Sequence, residues 1–597
     1  MNSETRNCQN CRQSFTIEPD DFAFYEKIKV PPPTWCPDCR LQRRLMFRNE
    51  HFLYKCKSDF SGKEIFSMHP VEGNRKVYEN DIWYSDHWNP LSYGKEYDFS
   101  RPFFVQLKEL FESVPIFALS VIRGVNSPYS NNFDGYKNCY LVFNGNFCED
   151  CMYGVTVGYS KNSLDLTAAS KCENAYEGFW LDSCTNVFFS VQCSDSFNLW
   201  FCKSCTGCND CIGCVNLRNK KYHIFNQAYT KEAYESKLKE FNFSSYAAVK
   251  KFRAQAREFW IPHPIKYMQG LKNMNATGEY ISNSKNTLNS YLVREAENVR
   301  YCQYMEIGPV RDCYDYTTWG SGAELLYETL NTGLGAYNVR FSDECWPEVR
   351  DTEYALYCQS SSNLFGCVGI RKKEYCILNR EYSKEEYEKL RKKIIEHMHA
   401  MPYIDARGNA YRYGEFFPPM FSPFPYNHTP AHEHFPLTSE QAAREGCFWK
   451  SSEDKGYAIT KKATELPDDI AEVPDSITQE IVLCEDWEKN EASAQAHNCT
   501  KAFRILPQEL SFYRRFNLPL PRKCHNSRHN ERLRHRNSVR LHQRTCDCKG
   551  SGVEKGYQNA SSHFHGAGAC SNIFQTAVNL DRPEIVYCEA CYQAEVA

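Results

Sequence analysis

The fold is decided by residues 138–209, which divide without insertion into six lines of twelve: NCYLVFNGNFCE (138–149), DCMYGVTVGYSK (150–161), NSLDLTAASKCE (162–173), NAYEGFWLDSCT (174–185), NVFFSVQCSDSF (186–197) and NLWFCKSCTGCN (198–209). An Asn or Asp opens every line, and Asp210 opens a seventh. The second, fifth, eighth and eleventh places are mostly small or aliphatic; the eleventh reads Cys148, Ser160, Cys172, Cys184, Ser196 and Cys208. The third place is mostly aromatic or bulky: Tyr140, Met152, Leu164, Tyr176, Phe188, Trp200 and Ile212. Self-similarity at a fixed period is the mark of a repeat architecture. Twelve residues at about 3.3 Å each give a perimeter of about 40 Å, so the lumen admits only small side chains. Cys, Ser, Ala and Gly therefore point inward. The recurring Asn sits at turns, where it tolerates left-handed backbone and bonds its own chain. The expected fold is mainly β, a parallel β-solenoid whose coil holds 12 residues, or 24 if two lines make one coil.

These columns resemble the 12-residue β-helix of beetle antifreeze proteins, which has small residues at the same four places. The outward columns differ, being Asn/Asp and aromatic rather than paired Thr. A second array follows the first. Gly213-Cys214-Val215, Arg218, Tyr222, Asn226, Tyr229, Lys231-Glu232 and Tyr234-Glu235 recur 153 residues later as Gly366-Cys367-Val368, Arg371, Tyr375, Asn379, Tyr382, Lys384-Glu385 and Tyr387-Glu388. Its line starts are looser: Asn286, Asn298, Asp312, Glu324, Asp351 and Asn363. Each array ends at a Thr230 or Ser383 cap and a charged helix, which closes the open coil as repeat proteins require. Cys202, Cys205, Cys208, Cys211 and Cys214 have the spacing of a ferredoxin motif. The array explains that spacing through inward positions every third residue, so buried thiols are expected and an iron–sulfur cluster is not. The aromatic third column would form a ladder with rungs about 4.8 Å apart. An exposed apolar surface of that size is rare, so the other array or a terminal helix should cover it.

The ends of the chain carry metal-ligand patterns. Cys8-x2-Cys11 is followed by Cys36-x2-Cys39 and a short basic helix at Arg40–Leu45. Four thiolates in two knuckles suit the tetrahedral, soft-ligand preference of zinc. The pattern resembles zinc ribbons of treble-clef type, which implies a structural ion with no open position. Adding 488 maps Cys11, Phe15, Ile17, Pro19, Tyr25, Cys36 and Arg40 onto Cys499, Phe503, Ile505, Pro507, Tyr513, Cys524 and Arg528. Cys8 and Cys39 become Ala496 and Ser527, so this second finger loses two ligands; His497, His525 or His529 would have to replace them, or the finger keeps its fold without metal. In the tail, Cys588-x2-Cys591 follows a strand at Arg582–Tyr587, with partners to come from Cys546, Cys548, Cys570, His563 or His565. One to three zinc ions are expected. His428, His432 and His434 lie close together with Glu433, as a metal site or as a solvated loop.

Composition sets the outer limits. The 597 residues are 42% hydrophobic and 24% charged, which excludes a disordered or collagen-like chain. No apolar run is long enough for a transmembrane helix. The polar start and 31 Cys point to reduced thiols and a cytoplasmic protein. The divisions read as a treble-clef finger at 1–60, a mixed connector at 61–130, the first array at 131–228 with a helical cap at 229–265, the second array at 275–380 with its cap at 381–400, a connector at 401–495, a degenerate finger at 496–545 and a zinc ribbon at 546–597. This order resembles an uncharacterised family of bacterial multi-zinc proteins carrying a propagated CaiB/BaiF family label. That likeness imports no activity, and the chain has no Rossmann-like βαβ run, glycine-rich turn or catalytic Asp that a CoA-transferase would need.

The expected function is a zinc-stabilised scaffold or binding protein, with RNA or a ribonucleoprotein as first partner, a protein partner as the alternative, and no membrane. Residues 511–545 hold ten Lys/Arg against Glu531 alone, and Arg528, Arg532, Arg534 and Arg536 are the candidate nucleic-acid contacts. The competing partner for this charge is the acidic stretch 465–491, with ten acids against Lys489. The rivals are an enzyme with its site between the arrays or at a tail zinc, and a structural protein that assembles through its solenoid edges. No catalytic group can be nominated from the sequence.

Overall fold

The computed structural model describes residues 2–305, 307–320, 322–451, 456–550 and 557–596. Strands from Val121–Ile122 to Lys221–Ile224 form one parallel sheet, closed by an antiparallel return at Gln227–Ala228. Met152 pairs with Leu164, Leu164 with Tyr176 and Leu199 with Cys211, a constant step of twelve. The coil is therefore 12 residues, and the 24-residue alternative falls. Pairing begins earlier than expected: Val121 faces Phe133, and Asn126 already donates to Asn138 at 3.2 Å. Those first coils carry the step without the aromatic column that marks the later ones.

Each coil turns four corners. Asn138, Leu141, Asn144 and Phe147 all have φ between +51° and +57°, and the next coil repeats this at Asp150, Tyr153, Thr156 and Tyr159. Left-handed backbone costs a non-glycine residue roughly 1–2 kcal/mol, so the repeated corners must be held by their neighbours. Part of the support is lateral: Asn138 donates to Asp150 at 3.1 Å, Asn174 to Asn186 at 3.1 Å and Asn186 to Asn198 at 3.1 Å. The residue after each corner points inward. Cys139, Val142, Cys148, Cys151, Ala175 and Cys184 are all buried in the lumen.

Small polar side chains serve this lumen better than alkyl groups would. Cys139 Sγ donates to Cys148 O at 3.4 Å, and Cys151 Sγ to Ser160 O at 3.4 Å. Ser160 Oγ accepts from Cys172 N at 3.1 Å, and Ser163 Oγ from Ala175 N at 3.0 Å. Thiols and hydroxyls thus satisfy backbone groups that have no water to bond. None of the 31 cysteines is in a disulfide. Gly145 shows how tight the coil is: a Cβ there would lie 1.8 Å from Val157 O and 2.7 Å from the Tyr136 hydroxyl.

The second array is less regular. Its steps are 12 between Thr287 and Val299, 14 between Val299 and Cys313, and 13 between Val339 and Thr352. The longer coils enclose larger groups, including Met305 and Tyr316. Both arrays end in the expected capped helices: Thr230 Oγ1 accepts from Ala233 N at 3.2 Å, and Ser383 forms a capping box with Glu386.

The two fingers cross over between the arrays. The helix Pro37–Leu45 of the first finger lies on the second array, where Arg40 and Arg44 share Asp315 at 3.0 Å each and Arg44 Nε reaches Thr317 Oγ1 at 3.1 Å. The helix His525–Leu533 of the second finger lies on the first array, where Arg528 and Arg532 share Asp165 at 2.9 and 3.1 Å and Arg532 Nε reaches Thr167 Oγ1 at 3.1 Å. Tyr25 meets Tyr327 edge-on at 5.1 Å, and its duplicate Tyr513 meets Tyr176 edge-on at 5.6 Å. The same interface is therefore built twice, each time between segments far apart in the chain. The helix Pro507–Arg515 and the residue after it cover part of the aromatic column, through Phe512 and Tyr513 on Tyr176 and Phe516 on Phe188, while Phe243 stacks on Trp200.

A second duplication lies beside it. The hairpin Tyr54–Lys57 with Glu64–Ser67 matches His542–Thr545 with Ile573–Thr576. Asp59 Oδ2 accepts from Val77 N at 2.7 Å, and Asp547 Oδ2 accepts from Val586 N at 2.7 Å. Val77–Tyr78 then pairs with Ile116–Phe117 at the start of the first array, as Val586–Tyr587 pairs with Ile265–Lys266 at the start of the second. A copy of the tail finger therefore straddles the boundary drawn at residue 60, between the segments read as the first finger, 1–60, and a connector, 61–130. Ser58 and Glu79 stand in it where the tail finger has Cys546 and Cys588. Among the described residues, no helix is long and apolar enough to cross a membrane.

Candidate metal centres and the clefts beside them

Each finger starts from a strand whose end carries the first sulfur. Cys8 N donates to Gln13 O at 2.8 Å, Cys484 N to Lys501 O at 2.9 Å and Cys546 N to Asn572 O at 2.9 Å, closing three equivalent knuckles. A helix then begins at the third sulfur. Cys36 N donates to Cys8 Sγ at 3.2 Å, Cys524 N to Cys484 Sγ at 3.3 Å and Cys588 N to Cys546 Sγ at 3.2 Å. These bonds fix the correspondence: Cys484 and Cys546 occupy the place of Cys8.

The first finger brings Cys8, Cys11, Cys36 and Cys39 together as the spacing predicts. Two sulfurs about 2.3 Å from a tetrahedral zinc lie about 3.8 Å apart, and Cys11 and Cys36 are 3.8 Å apart. Bonds from the Cys36 and Cys39 thiols hold the Cys8 thiol far below its ordinary value.

The second finger corrects the sequence reading. Cys499 and Cys524 are 3.6 Å apart, and the third thiolate is Cys484, not a histidine. Ser527 takes the fourth corner, 3.6 Å from Cys484 Sγ and 3.5 Å from Cys524 Sγ. The gapless mapping missed Cys484 because the knuckle holds twelve more residues here than in Cys8–Cys11. The available signal was the apolar pair Val482–Leu483 running into a cysteine. His497 bonds Ser493 O at 2.7 Å, His525 stacks on Tyr153, and His529 faces Thr167.

The tail resolves into two donor sets. Cys546, Cys570, Cys588 and Cys591 form one, with Cys570 and Cys588 4.0 Å apart. Cys548, His563, His565 and Cys591 form the other, with Cys548 Sγ 3.3 Å from His563 Nδ1 and 3.4 Å from His565 Nε2. Residues 551–556 of this segment lie outside the described residues.

The remaining histidine cluster does not assemble. His428 Nδ1 is 2.5 Å from the Tyr54 hydroxyl, His434 Nε2 is 2.6 Å from the Tyr304 hydroxyl, and His432 reaches Ala496 O at 3.4 Å. Their acidic neighbour Glu433 instead faces His51 and His529, at 3.9 and 3.8 Å. Sequence reading missed this triad, since its members are drawn from three distant segments. His51 Nδ1 and His529 Nε2 have no hydrogen-bond partner, and burial pushes His51 down to about 4. The triad lines an open cavity of about 580 Å³.

The iron–sulfur pattern dissolves into the lumen: Cys202, Cys205 and Cys214 donate to carbonyl oxygens two residues back. Of the arginines proposed for nucleic acid, Arg528 and Arg532 are buried on Asp165, Arg536 pairs with Glu433 at 3.0 Å, and Arg534 alone is exposed. The acidic stretch takes only part of the basic charge, through Lys523–Asp486 at 2.7 Å and Arg514–Asp475 at 2.6 Å.

A second cavity, about 240 Å³, opens where the arrays face each other. Asn132, Asn144 and Lys171 line it from the first array, and Arg294, Trp319 and Trp346 from the second. Arg48 also lines it. Its Nη2 donates to Asn144 Oδ1 at 2.8 Å, its Nε to Glu50 at 3.1 Å, and its Nη1 has no partner.

No family model matches the chain, and no curated protein does. Among solved structures, one described as "putative acetyltransferase from Desulfovibrio desulfuricans G20" covers 49% of this chain and 86% of its own, at 9% identity and a TM-score of 0.11. A likeness that low carries no argument about fold or function.

Proposed function

We propose that the protein is a zinc-stabilised binding scaffold whose ligand site is the cleft between the two arrays. Zinc is the ion best suited to closed sets of thiolates. The observation that supports the binding role is the cleft itself: a cavity walled by both solenoids, with the cations Lys171 and Arg294, the latter 4.0 Å from Asp182, and two indoles. Among the described lining residues the one acid, Asp134, is already matched by Arg123. Such a lining selects a small anion with a flat apolar part. RNA or a ribonucleoprotein would have to be met elsewhere than at Arg528, Arg532 and Arg536, whose charges are matched inside the molecule. Thermal-shift titration of the full chain with phosphate esters and carboxylates tests this. A stabilising anion should bind roughly tenfold more weakly to a Lys171→Gln/Arg294→Gln variant, a loss of about 1.4 kcal/mol. Stabilisation by no anion, or equal stabilisation of both proteins, rejects the reading.

A second reading, that the chain is an enzyme, is supported by His51, Glu433 and His529 in their open cavity. The duplication supplies the reason: 488 residues on, His51 becomes Val539, and 488 back, His529 becomes Leu41. The finger fold accepts apolar residues at both places, so it does not require the imidazoles. Paired imidazoles and a carboxylate are acid–base equipment. His51→Val and His529→Leu should therefore fold, and should abolish any hydrolysis of generic esters or phosphoesters seen with the wild type; turnover that persists in both removes this reading.

A further inference from the structure

We infer that the C-terminal finger holds two metal ions bridged by the Cys591 thiolate, an inference that rests on the metal-binding reading of the fingers. Cys591 belongs to both donor sets of the tail, each of which has its ligand atoms within 4.8 Å of one another. Cys546, Cys570 and Cys588 complete one set with it, and Cys548, His563 and His565 the other. Without a shared sulfur, one of the two sets keeps only three donors. A thiolate has lone pairs for two ions, and sharing it completes two tetrahedral shells.

The distances agree with this. Sulfur at about 2.3 Å and nitrogen at about 2.1 Å from a tetrahedral zinc lie about 3.6 Å apart. Cys548 Sγ is 3.3 and 3.4 Å from the two imidazole nitrogens, and Cys591 Sγ is 3.4 Å from His565 Nε2. Five thiolates balance two divalent ions to within one charge.

The outer contacts give each imidazole one free face. His563 Nε2 is 2.8 Å from Glu595 Oε1, with both side chains buried, so the proton sits there and Nδ1 presents its lone pair to Cys548. Glu595 is itself held by Ala560 N at 2.9 Å, Ser561 N at 3.1 Å and the Tyr557 hydroxyl at 3.0 Å. His565 Nδ1 is 2.8 Å from Gly568 O, leaving Nε2 for the ion. A carboxylate or carbonyl on the far nitrogen is how proteins orient metal-bound histidine.

The duplication gives an independent argument. Two residues separate Cys8 from Cys11, whereas twenty-three separate Cys546 from Cys570. The longer knuckle carries Cys548, His563 and His565, so the insertion brings its own ligands.

Zinc counted by native mass spectrometry on the full chain tests the bridge. Relative to wild type, His563→Ala/His565→Ala should lose one ion and Cys591→Ser two, while Cys36→Ser loses one from the first finger. No loss in Cys36→Ser would overturn the metal-binding reading as a whole. A loss there with none in the double histidine variant would overturn the bridge alone. Cadmium exchange of the wild type needs no substitution: two tail resonances coupled through sulfur are expected, and a single uncoupled tail resonance contradicts the bridge.

Discussion

Asp165 and Asp315 sit at left-handed corners, φ +55° and +56°, and each receives two buried arginines from the other end of the chain. An ion pair out of water is a weak source of net stability, but removing one partner strands the other charge at about 3–5 kcal/mol. Asp165→Asn and Asp315→Asn should therefore each lower stability by that order, by similar amounts because the geometry is the same, as read from denaturant midpoints. Glu509 behaves differently. Burial pushes it up to about 7, against the pull of Arg528 and the bonds from Leu506 N and the Tyr153 hydroxyl. A carboxyl raised in the folded state contributes most below its ordinary value of 4.5 and loses that contribution as pH rises through about 7. The wild type should lose on the order of 3 kcal/mol across that window, and Glu509→Gln should not. Comparing the two proteins isolates this effect from that of the other titrating groups.

The coil is an element whose size follows from its lumen. Ala175 is fully buried between Cys139-type neighbours in a 12-residue turn, so Ala175→Phe should overpack it and cost about 1–3 kcal/mol or more. A thermal midpoint unchanged by that substitution would contradict the narrow lumen. The period, the inward columns and the capping residues were legible in sequence because they are local: each depends on neighbours twelve residues away or fewer. The first finger was legible for the same reason. Its four ligands lie in two pairs on one short segment. The second finger was legible as a duplicate of the first, but its third ligand was not, because a longer knuckle moved Cys484 out of register while the rest of the motif stayed in place. The copy of the tail finger at Tyr54–Trp83 was easy to miss, since Ser58 and Glu79 had replaced the cysteines that advertise the fold and only short matches such as Val77-Tyr78 to Val586-Tyr587 remained.

At the scale of the whole molecule, each array depends on a finger from the opposite end of the chain. Cys36→Ser, by breaking the four-cysteine set from which the helix Pro37–Leu45 starts, should therefore expose the amides around Asp315 in the second array while leaving those around Asp165 protected. Hydrogen exchange on the intact chain reads this directly; loss of protection in both arrays, or in the first alone, would show that the crossing is not an energetic link. The arginines of the second finger illustrate the limit of reading charge from sequence. Ten cations in 35 residues look like a surface for phosphate, yet Arg528, Arg532 and Arg536 meet carboxylates that lie 103 to 367 residues away. By itself the sequence determined the solenoid arrays, their inward columns, the capped ends and the four-cysteine set of the first finger, because regular spacing dictates which side chains can share a narrow lumen or one ion. Only the tertiary structure decided which finger sits on which array, where the arginine charge goes, that Cys484 completes the second centre, and that His51, Glu433 and His529 meet. Those contacts join segments whose separation along the chain carries no period, so nothing local in either partner announces the other.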